Sequence, residues 1–198
     1  MITPRLILAS ASPRRKELLT EAGYDFVVIP SQAEELHDSH LTARELCQLN
    51  AHRKARSIAK RYPDDLILGA DTLVYLGTTL YGKPSSRADA RRMLEELQGT
   101  RHQVVTGVSV IQWRSHQERL FVETTYVTFR KLNPALLEQY LGKVDTLDKA
   151  GGYAIQEQGD ELVASIEGSY SNVVGLPVER TREELLRLGF PSSNPPAL

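Results

Sequence analysis

Apolar residues along this chain come in two rhythms. Short unbroken runs at residues 6–9 and 26–29, and the longer stretch 64–76, read as strands, the first of them of the kind a central strand shows. Between them the spacing turns helical. A first helix opens at Pro13 behind the N-cap Ser12 and shows Leu18, Leu19 and Ala22 to the core before Gly23 ends it. A second, running to about Arg61, opens on the capping-box pair Thr42 and Glu45. Ser86 and Asp89 start a third, whose stripe is Ala90, Met93, Leu94 and Leu97. β-Branched residues then dominate 102–112 and 118–129, with RSHQ as the expected turn between two antiparallel strands and His102 as a surface residue of the first. A short helix over 134–141, a strand over 162–166 and a helix over 177–188 complete the body, and 191–198 reads as a flexible tail. The alternation early and the antiparallel pairing later predict an α/β protein with a mixed twisted sheet flanked by helices. Residues 1–190 are expected to form one domain, its sheet shared by two lobes.

Several polar residues break these rhythms. Arg14 and Arg15 occupy the first turn of the first helix, where unpaired N–H groups already carry positive charge and acids would be the stabilising choice. Two readings stand. They are solvated surface arginines, or they join Ser10, Ser12 and the helix N-terminus in binding an anion such as phosphate. Lys54 lies on the inward face of the second helix, three after Ala51 and four before Ile58, so it either snorkels to water or enters a cleft. Asp71 and Thr72 interrupt an apolar strand, and a carboxylate there must be paired, metal-bound or at a cleft edge. Glu34 and Glu35 follow the second strand, as solvated surface acids or as part of the same site. Lys83 sits before Pro84 in a turn-rich loop, and Asp148, Lys149 and Gln156 lie in the glycine-rich stretch DTLDKAGGYAIQEQG.

Composition narrows the function classes. Lys plus Arg number 24 against 25 Asp plus Glu, for a net charge of -1, so nothing attracts nucleic acid or an acidic membrane globally and any cationic site is local. Neither nucleic acid nor membrane is expected as a partner. Cys47 is the lone cysteine, which excludes an internal disulfide and a multi-cysteine zinc site, and the histidines have no ligand spacing. With no export signal read near the N-terminus, the expected location is cytoplasmic. The odd residues complement one another: cations at strand and helix ends suit a polyphosphate, and carboxylates beside them suit a divalent ion or the activation of water. No GxxxxGK[ST] pattern is present.

The motifs ASASPRRKELL, GADT, YGKP, LDKAGGYAIQ and VVGLP, in this order from residue 6 to about 188, resemble the Maf family of nucleoside triphosphate pyrophosphatases. The resemblance implies a Maf-type mixed α/β fold, similar to inosine triphosphate pyrophosphatases, with a cleft between two lobes. It implies hydrolysis of a nucleoside triphosphate between its α and β phosphates, with Mg²⁺, Mn²⁺ or Co²⁺ as cofactor, and a homodimer. Carried onto this chain, it makes Asp71 the proton acceptor, Glu35 a metal- or water-positioning acid, Glu35 and Asp71 the metal ligands, and Ser10, Arg15, Lys54 and Lys83 phosphate or catalytic contacts, with Lys149 another substrate contact. Arg14, Thr72 and Gln156 match the identities of the branch acting on dTTP and UTP rather than on 7-methyl-GTP. Gln156 offers both a donor and an acceptor to a pyrimidine imide edge, which an ionised glutamate cannot. The alternative function is a non-catalytic nucleotide sensor regulating septum formation, disfavoured because a mere binder would not need both Glu35 and Asp71.

Overall fold

In the computed structural model residues 4–193 are described, and the expected tail lies outside them from residue 194 onward. Seven strands, β1 (Leu6–Leu8), β2 (Phe26–Val28), β3 (Leu66–Leu76), β4 (Thr79–Tyr81), β5 (Arg101–Gln112), β6 (Gln117–Phe129) and β7 (Val163–Glu167), build one sheet. Its order is β2-β1-β3-β5-β6-β7, with β4 paired to β3. It is mixed, as expected. β1 runs parallel to both β2 and β3, whereas β3 with β4 and β6 with β7 are antiparallel. The helices are α1 (Pro13–Glu21), α2 (Ala43–Ala59), α3 (Arg87–Leu97), α4 (Pro134–Lys143), α5 (Gly159–Leu162), α6 (Tyr170–Val174) and α7 (Val178–Arg187). The turn between β5 and β6 is residues 113–116, one residue earlier than the sequence suggests, with His116 at φ 53°. None of these helices is long and apolar enough to cross a membrane.

The described residues fall into two compact units interleaved in sequence: 4–71, 106–123 and 175–193 in the first, 72–105 and 124–174 in the second. In the first unit β1 is wholly buried, which fits a central parallel strand. Its core joins Ile7 and Ala9 of the β1 segment and Ile67 of β3 to Ala55, Ile58 and Ala59 of α2. Two glycines let that helix lie directly on the sheet. A Cβ at Gly69 would stand 2.6 Å from the Ala51 carbonyl oxygen and 2.7 Å from the Ala55 nitrogen, and one at Gly107 would collide with the Cys47 carbonyl. Residues 67, 69 and 71 share one face of β3, so the contact that needs Gly69 also presents Asp71 to α2. Close packing here sets the distance between a strand carboxylate and the helix side chains that meet it.

The second unit has its own core, in which Met93, Leu94 and Leu97 of α3 meet Tyr140 and Leu141 of α4, Phe129, and Tyr153. His102 belongs to this interior and is not the surface residue its strand suggested. It is 1% exposed, its Nε2 is 2.9 Å from the Tyr153 hydroxyl, and its ring meets Phe129 edge-on at 4.7 Å between centroids. Strand β5 is buried on nearly every residue, so no alternation in its sequence marks which positions face outward. Burial pushes the His102 imidazolium down to about 4, from an ordinary 6.5. Between those two values the unfolded chain holds a proton that the folded chain refuses, so stability is full above pH 6.5 and falls as the pH drops. The loss reaches about 3 kcal/mol below pH 4. Melting temperatures measured across this window should therefore fall more steeply in the wild type than in His102→Phe; equal slopes would contradict the assignment.

Candidate active site

The first unit assembles the chemistry from the ends of β1 and β3 and from α2. After β1 the chain turns at Ser10, which is 8% exposed, and its Oγ accepts hydrogen bonds from the Ser12 backbone N–H (3.2 Å) and from Arg15 Nη1 (3.2 Å). Ser12 caps α1 as expected, accepting from the Arg15 backbone, and Pro13 takes the first helical position. Arg15 Nε donates to the Gly175 carbonyl at 2.8 Å, so the guanidinium is held by the strand-to-helix turn at one end and by the segment before α7 at the other. Burial lowers its pKa from the ordinary value, while the negative charges of Asp71 and Glu35 oppose that effect. Arg14, beside it, is half-buried.

Asp71 is the best-shielded acid of this group, with its side chain 5% exposed. A carboxylate taken from water at that depth needs partners on both oxygens. It has them. Lys54 Nζ donates to Asp71 Oδ1 at 2.7 Å and Asn50 Nδ2 to Oδ2 at 3.2 Å. The same ammonium donates to Glu35 Oε1 at 2.6 Å. Glu35 is more open, at 41% side-chain exposure, and Lys54 intermediate at 13%. The loop that carries Glu35 is laid onto α2 at two points, by Ser31 against Ser57 (2.9 Å between their Oγ atoms) and by the Leu36 backbone against Asn50. Lys54 therefore enters a cluster of acids and does not snorkel to bulk water.

Thr72, Lys83, Asp148, Lys149 and Gln156, also named from the sequence, lie in the second unit. Thr72 follows Asp71 on β3 and so points to the opposite face of the strand, half-buried. Lys83 is exposed in the turn after β4. Gly151 donates to the Gly82 carbonyl at 3.0 Å, which ties the glycine-rich loop to the residue before Lys83. Gly151 and Gly152 have φ of 74° and 71°, a consecutive pair of left-handed residues that glycine alone adopts without strain. Gln156, further along that loop, is exposed. Lys149 is buried at 5%, its ammonium surrounded by the Asp145 carbonyl (2.5 Å), Asp148 Oδ1 (2.8 Å) and Glu157 Oε1 (3.2 Å). This pins its own loop together.

Among the described residues no group of three or more His, Cys, Asp or Glu side chains could hold a metal ion unaided. Glu35 and Asp71 nonetheless fit a hard divalent cation in kind, because Mg²⁺ is commonly bound by one or two carboxylates with water and substrate phosphate oxygens completing the shell. An ammonium already between the two acids shows that the position favours positive charge. Asn50 escaped the sequence reading. The signal was there: it lies four residues before Lys54 on the same inward face, a second polar residue among buried apolar ones.

The model of the family described as Maf-like protein matches residues 5–188. A dTTP/UTP pyrophosphatase of Gloeobacter violaceus is 49% identical over 175 residues, covering 88% of this chain and 91% of the relative. Proteins of the same name from Moorella thermoacetica (46% identical; 93% and 95% covered) and Symbiobacterium thermophilum (44%; 94% and 95%) are similar over nearly their full lengths. Among solved structures, a HAM1 protein from Coxiella burnetii superimposes with a TM-score of 0.43 at 14% identity, over 64% of this chain and 73% of that one.

Proposed function

The chain belongs to the family of Maf-like proteins, and from that membership we propose that it hydrolyses dTTP and UTP to the monophosphate and pyrophosphate, with water as the nucleophile. What carries the reading is Asp71, a buried carboxylate held by Lys54 and Asn50 beside a second acid, Glu35. Two carboxylates repel a bare polyphosphate, and a hydrolase needs one of them to take a proton. Ser10, Arg15 and the positive N-terminal end of α1 then attract phosphate oxygens, where helix charge and guanidinium act together. Lys54 and Lys83 neutralise charge that builds on the leaving pyrophosphate. Asp71 accepts the proton of the attacking water as its oxygen bonds to phosphorus and the bond from that phosphorus to the α–β bridging oxygen breaks. Glu35 and Asp71 would hold the divalent cation, Mg²⁺ or Mn²⁺, which when bound offsets the charge of the triphosphate and polarises its P–O bonds.

Arg14, Thr72 and Gln156 set the nucleotide accepted, with Gln156 meeting the pyrimidine imide edge through its paired donor and acceptor. Lys149 supports this selection by holding the loop that carries Gln156. Residues 1–190 are taken as one domain, since neither compact unit is a contiguous stretch that could be cut from the chain. A cytoplasmic location and a homodimer belong to the same proposal and rest on the family. The test is a screen of pyrophosphate release over canonical and modified nucleoside triphosphates with Mg²⁺ or Mn²⁺. Turnover of dTTP and UTP is expected to exceed that of 7-methyl-GTP by about tenfold or more, well within what a pocket built to hydrogen-bond its substrate supplies. Preference for 7-methyl-GTP would overturn the substrate assignment.

A further inference from the structure

Asn50 and Lys54 stand one turn apart on α2, and both join the same two pieces of chain. Lys54 ties the Glu35 carboxylate to Asp71 Oδ1, at 2.6 and 2.7 Å. Asn50 ties the next residue's backbone to the other oxygen of the same carboxylate. Its Oδ1 accepts from the Leu36 N–H at 2.7 Å, and its Nδ2 donates to the Leu36 carbonyl and to Asp71 Oδ2, both at 3.2 Å. The partners fix which way the amide faces, because a flipped amide would set its NH₂ against the Leu36 N–H. Asn50 is 2% exposed and its neighbours on that helix face, Leu46, Cys47 and Ala51, are apolar and buried. An amide thus stands where an aliphatic side chain would pack, with its polar atoms directed to the loop of one acid and the carboxylate of the other.

We propose that Asn50 is a positioning residue for the hydrolysis, holding Asp71 Oδ2 so that Oδ1 is the oxygen presented beside Lys54 and Glu35, and holding the Glu35 loop at a set distance from it. The inference rests on Asp71 and Glu35 being the acids of that reaction. A substrate that draws the Lys54 ammonium towards its phosphates loosens one of the two ties between these segments; the tie through Asn50 then keeps the carboxylate plane and the loop in place. Asn50 acts through Asp71 and Glu35 rather than on the nucleotide, so its loss is felt in the chemical step and not in binding.

Asn50→Asp and Asn50→Ser separate this role from simple packing. The aspartate keeps an oxygen able to accept from the Leu36 N–H but has no N–H for Asp71, and the serine hydroxyl, one bond shorter than the amide, cannot replace the donor to Asp71. With dTTP and Mg²⁺, kcat is expected to fall at least about tenfold in both, with KM within about threefold of the wild type. Circular dichroism and thermal melting identify the variants that are folded, and one folded variant is enough for the kinetic comparison. A kcat within about twofold of wild type, or a raised KM at unchanged kcat, overturns the proposal, as does failure of both variants to fold, which would make Asn50 structural. A wild-type protein that releases no pyrophosphate removes the underlying reading and this inference with it, whereas a turning-over wild type with unaffected variants refutes the positioning role alone.

Discussion

Asp71→Asn is expected to remain folded and to lose about 10²- to 10⁴-fold in turnover of dTTP, the range that a positioned general base contributes. The substitution keeps the size of the side chain in a site 3% exposed, so packing around β3 is preserved. What goes is the charge and the basic lone pair. A carboxamide can still accept from Lys54 through its oxygen, but its NH₂ then faces the Asn50 NH₂ and one hydrogen bond is lost. The variant has no group at position 71 that can take the proton of an attacking water. Steady-state kinetics with a melting curve on the same preparation separates chemistry from folding. Unchanged turnover would move the base to another acid, and Glu35, which shares the Lys54 ammonium, is the first suspect.

Lys54→Met acts on stability and activity together. One ammonium serves two carboxylates, one of them buried, and its removal leaves Asp71 facing Glu35 with no cation from α2 between them. Breaking a buried ion pair from one side costs about 3–5 kcal/mol. The cost here belongs near the lower end, because Glu35 is open enough to turn towards water and Asp71 keeps Asn50. A melting temperature lowered by several degrees is expected, with turnover reduced about 10²-fold or more as both acid geometry and phosphate charge compensation are lost. Lys54→Arg restores the charge and most of the stability; its planar fork cannot place one donor between the same two oxygens, so turnover stays low. Wild-type stability and turnover in Lys54→Met would show that the ammonium holds neither acid.

Much of this architecture is legible in the residues because it is written in local terms. Ser12 before Pro13 and Thr42 with Glu45 mark helix starts by cap chemistry, and the structure has both caps. The parallel strands β1 and β3 announce themselves as apolar runs, and Asp71 stands out because it interrupts the second. Lys54 stands out for the corresponding reason on a helix. Asn50 carried the same signal more weakly, an uncharged amide being common enough on helix surfaces to pass unnoticed. Other features depend on contacts remote in sequence. His102 is interior because α3, α4 and Tyr153 pack into one core, and a strand buried on nearly every residue shows no period to reveal it. The enclosure of Lys149 by Asp145, Asp148 and Glu157 is made by a loop folding back on itself, which no periodicity encodes. Helix α6 is only five residues long, too short for a helical stripe to register.

The central claim, hydrolysis at the α–β anhydride by water activated beside Asp71, is tested most directly by identifying the phosphorus products of dTTP by ³¹P NMR. Equal amounts of dTMP and pyrophosphate, formed by the wild type and almost absent with Asp71→Asn, are the predicted result. Release of orthophosphate with dTDP as the primary products would contradict it.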